Sequence, residues 1–257
     1  MTNSCVTNQY FSGQGSVLIA TKDAVTGEHE GFVPVGNVSA LTIGVETTVF
    51  QHKESCSGTR GIDKEITQEV VVTIAMTMEN INDDNLALAL YGTTAPVVGG
   101  SGSDEEHVMY WDKWIPLDHI KVSAVIVGDD AVPTVTYVEG TDYELNAETG
   151  SVKALSTGNI TDLQNVFFDY TYAGYDQIEA IVSSAAPERW LRFEGLNTAD
   201  SDNPVVIDVY KASIQPLAEL ALINEELAEM AVEASALSDP TRATGSQYFT
   251  IRQITTN

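Results

Sequence analysis

The chain has 257 residues, of which 37 are acidic and 12 basic, for a formal charge of −25. That excess of carboxylates argues against direct grip on nucleic-acid phosphates or on an anionic membrane, since both need clustered Lys and Arg. The length suits one large all-β domain or two modest ones, and no run approaches the roughly 20 apolar residues of a spanning helix.

The opening "MTNSCVTNQYFSGQGS" lacks the basic start and apolar centre of a secretory signal, which predicts a soluble protein made in a cytoplasm. "GSVLIAT" reads as a strand, and "DAVTGEHEG" turns it back into Phe32–Val35 as an early hairpin. "NVSALTIGVETTVF" is a second β-branched run. It leads into "QHKESCSGTRGIDKE", Gln51 to Glu65, where Lys53, Arg60 and Lys64 gather beside His52, Cys56, Gly58 and Gly61. Almost nothing in that segment could fill a core. It reads as a polar loop built to touch something outside its own fold.

"TQEVVVTIAMTME" alternates as a half-buried strand does: Val70, Val72, Ile74, Met76 and Met78 on one face, Glu69, Val71, Thr73, Ala75 and Thr77 on the other. "NINDDNLALALYG" predicts a short helix, capped by Asn82 or Asp83, with Leu86 and Leu90 on one face and Gly92 closing it. "TTAPVVGGSGSDEE", Thr93 to Glu106, reads as a linker or exposed loop. A β-rich insertion is expected over about 108–178. Within it, "YELNAETGSVKAL" predicts two short strands around a turn at Asn146–Gly150, and "NVFFDYTY" a strand with Val166, Phe168, Tyr170 and Tyr172 on one face.

"SSAAPER" returns the chain to the main body, and "PVVIDVYKASI" is another strand. In "QPLAELALINEELAEMAVEASALSD" the spacing of Leu220, Ile223 and Leu227 predicts a helix near 216–228. From Met230 to Leu237 the alternation is that of a strand. Pro240 marks a turn, and "SQYFTIRQI" is the last strand. The expected class is mainly β: an antiparallel sheet protein with one or two short helices and a β-rich insertion.

Motifs for chemistry are missing. His29, His52, His107 and His119 are far apart and never in HxxxH or HExxH form, so no metal or other cofactor is expected. Cys5 and Cys56 belong to no CxxC pair and are expected as free thiols rather than a bridge. "NINDDN" lacks the Gly and terminal Glu of a calcium loop. There is no GxSxG, Walker or GxGxxG motif, and adjacent acids are too abundant for any pair to single out a general acid and base. The chain is not expected to be an enzyme. Tyr110, Trp111 and Trp114 leave open an acidic carbohydrate-binding or adhesin module, although a packed cluster is the commoner fate of such residues.

Taken in order, four stretches resemble the major tail tube protein of long-tailed bacteriophages. They are "GQGSVLIATKD…GFVPVGNVSALTIGVET", "QHKESCSGTRGIDKEI", "TIAMTMENINDDNLALALYG" and "ERWLRFEGLNTADSDNPVVIDVYKASIQPLAEL". Their order carries the resemblance more than any one motif. It implies a β-sandwich or barrel with a packed helix, assembled as hexameric rings stacked head to tail into a tube. It also implies a virion protein assembled in the host cytoplasm, with tape measure, tail terminator and baseplate or tip proteins as partners and no membrane. DNA would pass through the lumen without tight binding.

Within that expectation the Gln51–Glu65 segment becomes an inter-subunit contact, with His52, Lys53, Glu54, Ser55, Arg60 and Lys64 as its residues. Copies that each carry −25 repel one another unless the contacts are locally complementary. Composition alone favours simple solubility as the reason for the acidity. A lumen lined with carboxylates would add a second reason, because it repels the phosphates of passing DNA within the roughly 8 Å reach of charge at physiological salt.

Overall fold

The computed structural model describes residues 10–253, apart from 24, 57, 131, 133 and 134. In chain order the elements are β1 (Gly13–Thr21), β2 (Val33–Pro34), β3 (Val38–Lys53), β4 (Ile62–Met78), α1 (Asp83–Ala89), β5 (Thr93–Thr94), β6 (Gly100–Met109), β7 (Trp114–Pro116) and β8 (Val122–Gly128). They continue with β9 (Tyr143–Asn146), β10 (Ser151–Ala154), β11 (Gln164–Tyr172), β12 (Ile178–Glu179), β13 (Glu188–Asn197), β14 (Asn203–Ile214), β15 (Met230–Ala236) and β16 (Phe249–Gln253). The fold is mainly β, its sheets antiparallel, with one short helix among the described residues. It divides into two compact units, the first made of Met1–Thr93 with Ile178–Asn257 and the second of Thr94–Gln177.

The first unit is built on one sheet in the order β2-β1-β13-β14-β15-β4-β3. β16 runs along the first half of β14, from Val205 to Val209, and β15 takes over that edge at Ala212. Alternation decides which face is buried. Val72, Ile74, Met76 and Met78 of β4 face Met230, Val232, Ala234 and Ala236 of β15 in register, and all eight are buried. Val17, Leu191, Val209 and Ile214 complete the cluster. Burying a side chain of this size stabilises a fold by about 1.5–3 kcal/mol, so these rows fix the register.

α1 covers one end of that core with Leu88 and Ala89. Its cap is Asn82, whose side-chain oxygen accepts from the Asn85 amide at 2.8 Å, with Asp83 and Asp84 in the favourable first turn. Buried Asn85 in turn donates to the carbonyls of Val35 and Asn80. The helix is released by Tyr91 at φ 53°, and Gly92 follows because a Cβ there would lie 2.3 Å from the Glu179 carbonyl oxygen.

The helix expected near 216–228 does not form. That stretch is irregular, held by Leu217 N–H to the Ala89 carbonyl (2.8 Å) and Gln215 N–H to the Glu233 carbonyl (2.8 Å). The reason is electrostatic as well as topological. Glu225, Glu226 and Glu229 would crowd the carboxyl end of such a helix, where negative charge opposes its dipole, and Glu225 and Glu229 would stand as a like-charged pair one turn apart. The strand that follows forms as expected over Met230–Ala236.

The second unit holds two three-stranded sheets, β6-β11-β8 and β7-β10-β9, around Met109, Val127, Val152, Ile160, Val166 and Phe168. The strands expected around Asn146–Gly150 are β9 and β10, paired Tyr143 to Ala154. The linker expected at Thr93–Glu106 is largely a strand instead. β6 begins at Gly100 and pairs with β11. Its glycines give room rather than freedom: a Cβ on Gly102 would lie 2.7 Å from Cζ of Tyr170, and one on Gly100 2.8 Å from the Tyr172 hydroxyl. The stretch 108–178 therefore lies, but for Ile178, within a unit that starts earlier, at Thr94.

Candidate assembly surface

β3 and β4 form a hairpin of 16 and 17 residues, three times the usual strand length. Only its proximal half has a core to cover. From Gly44 to Lys53 and from Ile62 to Val70 every residue is exposed. Alternation places Val45, Thr47 and Val49 of β3 on the face that continues the core side, with Val70 beside Thr47. A bulge at Gln68 shifts the register, and Phe50 then pairs with Ile66 on the opposite face. Both faces thus carry apolar side chains that stay exposed among the described residues: Val45 is 56% exposed, Phe50 48%, Ile66 49% and Ile62 51%. Among the described residues β3 is also the edge of its sheet.

The predicted site residues sit at the end of this hairpin. His52 and Lys53 are the last residues of β3, and Lys64 pairs with His52 from β4. The loop is shorter than the sequence suggests, only Glu54–Gly61, because its flanks are strand. Glu54 organises it: its amide donates to the Gly61 carbonyl at 2.9 Å, and its carboxylate accepts from the Cys56 amide at 2.7 Å. Gly58 at φ 78° supplies the left-handed turn, and Arg60 at φ 51° follows it. Ser55 is exposed on the same loop. Nδ1 of His52 lies 2.6 Å from Oδ1 of Asp63, and Gln51 donates to Glu65 at 2.7 Å. Among the described residues Lys53, Arg60 and Lys64 pair with no carboxylate. Between Gln51 and Glu65 three basic residues match three acidic ones, so this tip is neutral on a chain of charge −25.

The sequence located the cations and missed the apolar part, because Val45, Val49, Phe50, Ile66 and Val70 look like ordinary strand residues until the core is seen to stop short of them. The signal present was β-branched residues on both parities over a run too long for one sheet.

The other singled-out residues have packing partners. His29 lies against Phe32 (ring centroids 4.6 Å apart) and Trp190 (5.2 Å). His119 stacks on Tyr172 at 3.6 Å. Nε2 of His107 donates to the Glu105 carboxylate at 2.5 Å. The Glu105 carboxylate also accepts from the Tyr170 hydroxyl and the Asp118 amide; partial burial works against its charge, yet these bonds hold its pKa below the ordinary value. Burial and this bonded carboxylate push the Tyr170 hydroxyl upward. Among the described residues no cluster of His, Cys, Asp or Glu is arranged to hold a metal. Cys56 is an exposed free thiol, and Cys5 lies outside the described residues. Among the described residues no helix is long and apolar enough to cross a membrane.

Tyr110, Trp111 and Trp114 are 37, 41 and 50% exposed on the second unit. Trp111 is pinned by its indole N–H to the Ile160 carbonyl at 2.7 Å, and the ammonium groups of Lys113 and Lys153 lie about 5 Å from the rings of Tyr110 and Trp114. Sequence reasoning missed a stack in the first unit. The Arg242 guanidinium lies 3.5 Å from the Tyr210 ring centroid, and Tyr210 meets Trp190 edge-on at 5.2 Å. Trp190 and Arg242 line a cleft of about 210 Å³ with Gly27, Glu28, Asp239 and Thr241.

No curated protein matches the sequence. A family model does match it over residues 10–252, which takes in both compact units, and the chain belongs to that family, described as Protein of unknown function UCP028589.

Proposed function

We propose that this chain is a structural protein of the phage tail, forming the tube through which DNA leaves. Six copies make a ring, rings stack head to tail, and the product is part of the virion, assembled in the host cytoplasm. The observation that carries the reading is the distal half of the β3–β4 hairpin. It exposes apolar side chains on both faces and ends in cations that, among the described residues, pair with no carboxylate. A protein that must repeat one contact indefinitely needs such a projecting element and a different patch to receive it, since head-to-tail contacts join two different patches. Charge supports the same reading: the hairpin tip is neutral while the remainder of the chain holds the whole excess of −25. Carboxylates facing the lumen would keep phosphates from adhering. Tape measure, tail terminator and baseplate or tip proteins are the partners such a tube needs.

Phe50→Asp with Ile66→Asp tests the reading. Both side chains are exposed, so the variant keeps the fold, which circular dichroism reads, while the tubes formed by the wild type in electron micrographs disappear. Tubes of normal length from the double variant would contradict the proposal.

The half-exposed Tyr110, Trp111 and Trp114 favour one second reading, carbohydrate contact by the Thr94–Gln177 unit. Glycan-array binding that is lost in Trp114→Ala, by a protein that stays monomeric, would move the reading to an adhesin module.

A further inference from the structure

Two surfaces of the first unit are exposed and apolar, one a neutral tip that carries three cations and the other a segment whose charges are all negative, and they lie at opposite ends of one sheet. The first is the hairpin tip, with Phe50, Ile62 and Ile66 around Lys53, Arg60 and Lys64. The second is the irregular segment between β14 and β15. Its Leu217 and Leu220 pack on the core, but Leu222, Ile223 and Leu227 stand out at 84, 98 and 91% exposure. From Gln215 to Glu229 this segment carries Glu219, Glu225, Glu226 and Glu229 and no basic residue.

Register fixes where the two lie. Met230, which follows the acidic segment, pairs with Met78, the end of β4 farthest from the hairpin tip. The 17 residues of β4, at about 3.3 Å each, separate the ends by roughly 50 Å. The tip cannot fold back onto the acidic segment of its own chain, but a second copy displaced along the strand direction brings one against the other.

We infer that the acidic segment Gln215–Glu229 is the receptor, on a neighbouring copy, for the Gln51–Glu65 hairpin tip. This inference rests on the tube reading and names the partner surface that reading leaves open. The contact joins apolar to apolar, with cations of the tip set among glutamates of the segment. Desolvated pairs of this kind add specificity and fix the register of docking. Because donor and acceptor occupy opposite ends, each added copy presents a fresh site, and growth does not stop at a dimer.

A charge swap tests the pairing in the full chain. Lys53→Glu/Arg60→Glu/Lys64→Glu and Glu219→Lys/Glu225→Lys/Glu226→Lys should each lower the pelletable polymer by about tenfold or more, equivalent to a loss of about 1.4 kcal/mol per contact. Combining both sets in one chain should restore it. Position is read separately with the native thiol of the tip. In a Cys5→Ser background, Ile223→Cys should form an intermolecular disulfide with Cys56 and give a ladder of dimers, trimers and higher species on a non-reducing gel. Wild-type tubes together with no rescue by the swap overturn the pairing and leave the tube reading standing. A wild-type protein that stays monomeric overturns both.

Discussion

Nδ1 of His52 and Oδ1 of Asp63 lie 2.6 Å apart across the narrow end of the β3–β4 hairpin, where Asp63 is the extra residue of a bulge. Both side chains are open to solvent, at 59 and 45% exposure. An exposed pair of this kind stabilises a fold by about 0–1 kcal/mol. His52→Ala and Asp63→Ala should therefore leave the urea midpoint of the monomer nearly unchanged. A loss above about 2 kcal/mol would mean that the tip belongs to the fold rather than to a contact between copies.

Salt should promote assembly at first. Repulsion between chains of charge −25 acts over a Debye length of about 30 Å at 0.01 M salt and about 8 Å at 0.15 M, whereas pairs in direct contact are screened far less. Sedimentation velocity should show more polymer at 0.15 M than at 0.01 M. Polymer that is most abundant at the lowest salt would mean that attraction between opposite charges outweighs the net repulsion.

Gly102 is expected to tolerate no side chain. A Cβ placed on it falls 2.7 Å from Cζ of Tyr170, a buried residue in the core of the second unit. Gly102→Ala should destabilise that unit by about 1–3 kcal/mol, the usual penalty for overpacking. Thermal unfolding with unchanged midpoints would show that the Tyr170 ring moves aside freely.

Asp142 ties the 138–159 region together. Its carboxylate accepts from the Val138 amide (2.8 Å), the Asn159 amide (2.8 Å) and the Asn159 side chain (2.7 Å). Those bonds, the Val138 amide first, hold its pKa below the ordinary aspartate value despite its burial. A lowered folded-state pKa gives stability that is fully present above the unfolded value and is lost as pH falls through the folded one. Asp142→Ala should cost about 1–3 kcal/mol at pH 7 by leaving donors unpaired, and its stability deficit should shrink below about pH 4. A deficit constant down to pH 2 would contradict this role.

The strands and α1 were legible because alternation and capping are local. Met76 and Met78 announce a buried face wherever the sheet lies, and Asn82 announces a helix start. Three things were not local. Whether Phe50 and Ile66 are covered depends on where the core ends. Whether Gly100 and Gly102 are a linker depends on tyrosines about seventy residues away in β11. The segment with Leu220, Ile223 and Leu227 has helical spacing, but its glutamates and its ties to Ala89 and Glu233 override propensity. At the site itself, the cations of Gln51–Glu65 were visible as an anomaly in an acidic chain. Their apolar surroundings and the acidic segment at the far end of the sheet required the register of β4.

Electron cryomicroscopy of the purified wild-type protein at physiological salt tests the central claim most directly. The account predicts rings or tubes in which the hairpin bearing Phe50 and Ile66 is buried against a neighbouring copy. Monomers at every concentration, or tubes that leave this hairpin in solvent, would contradict it.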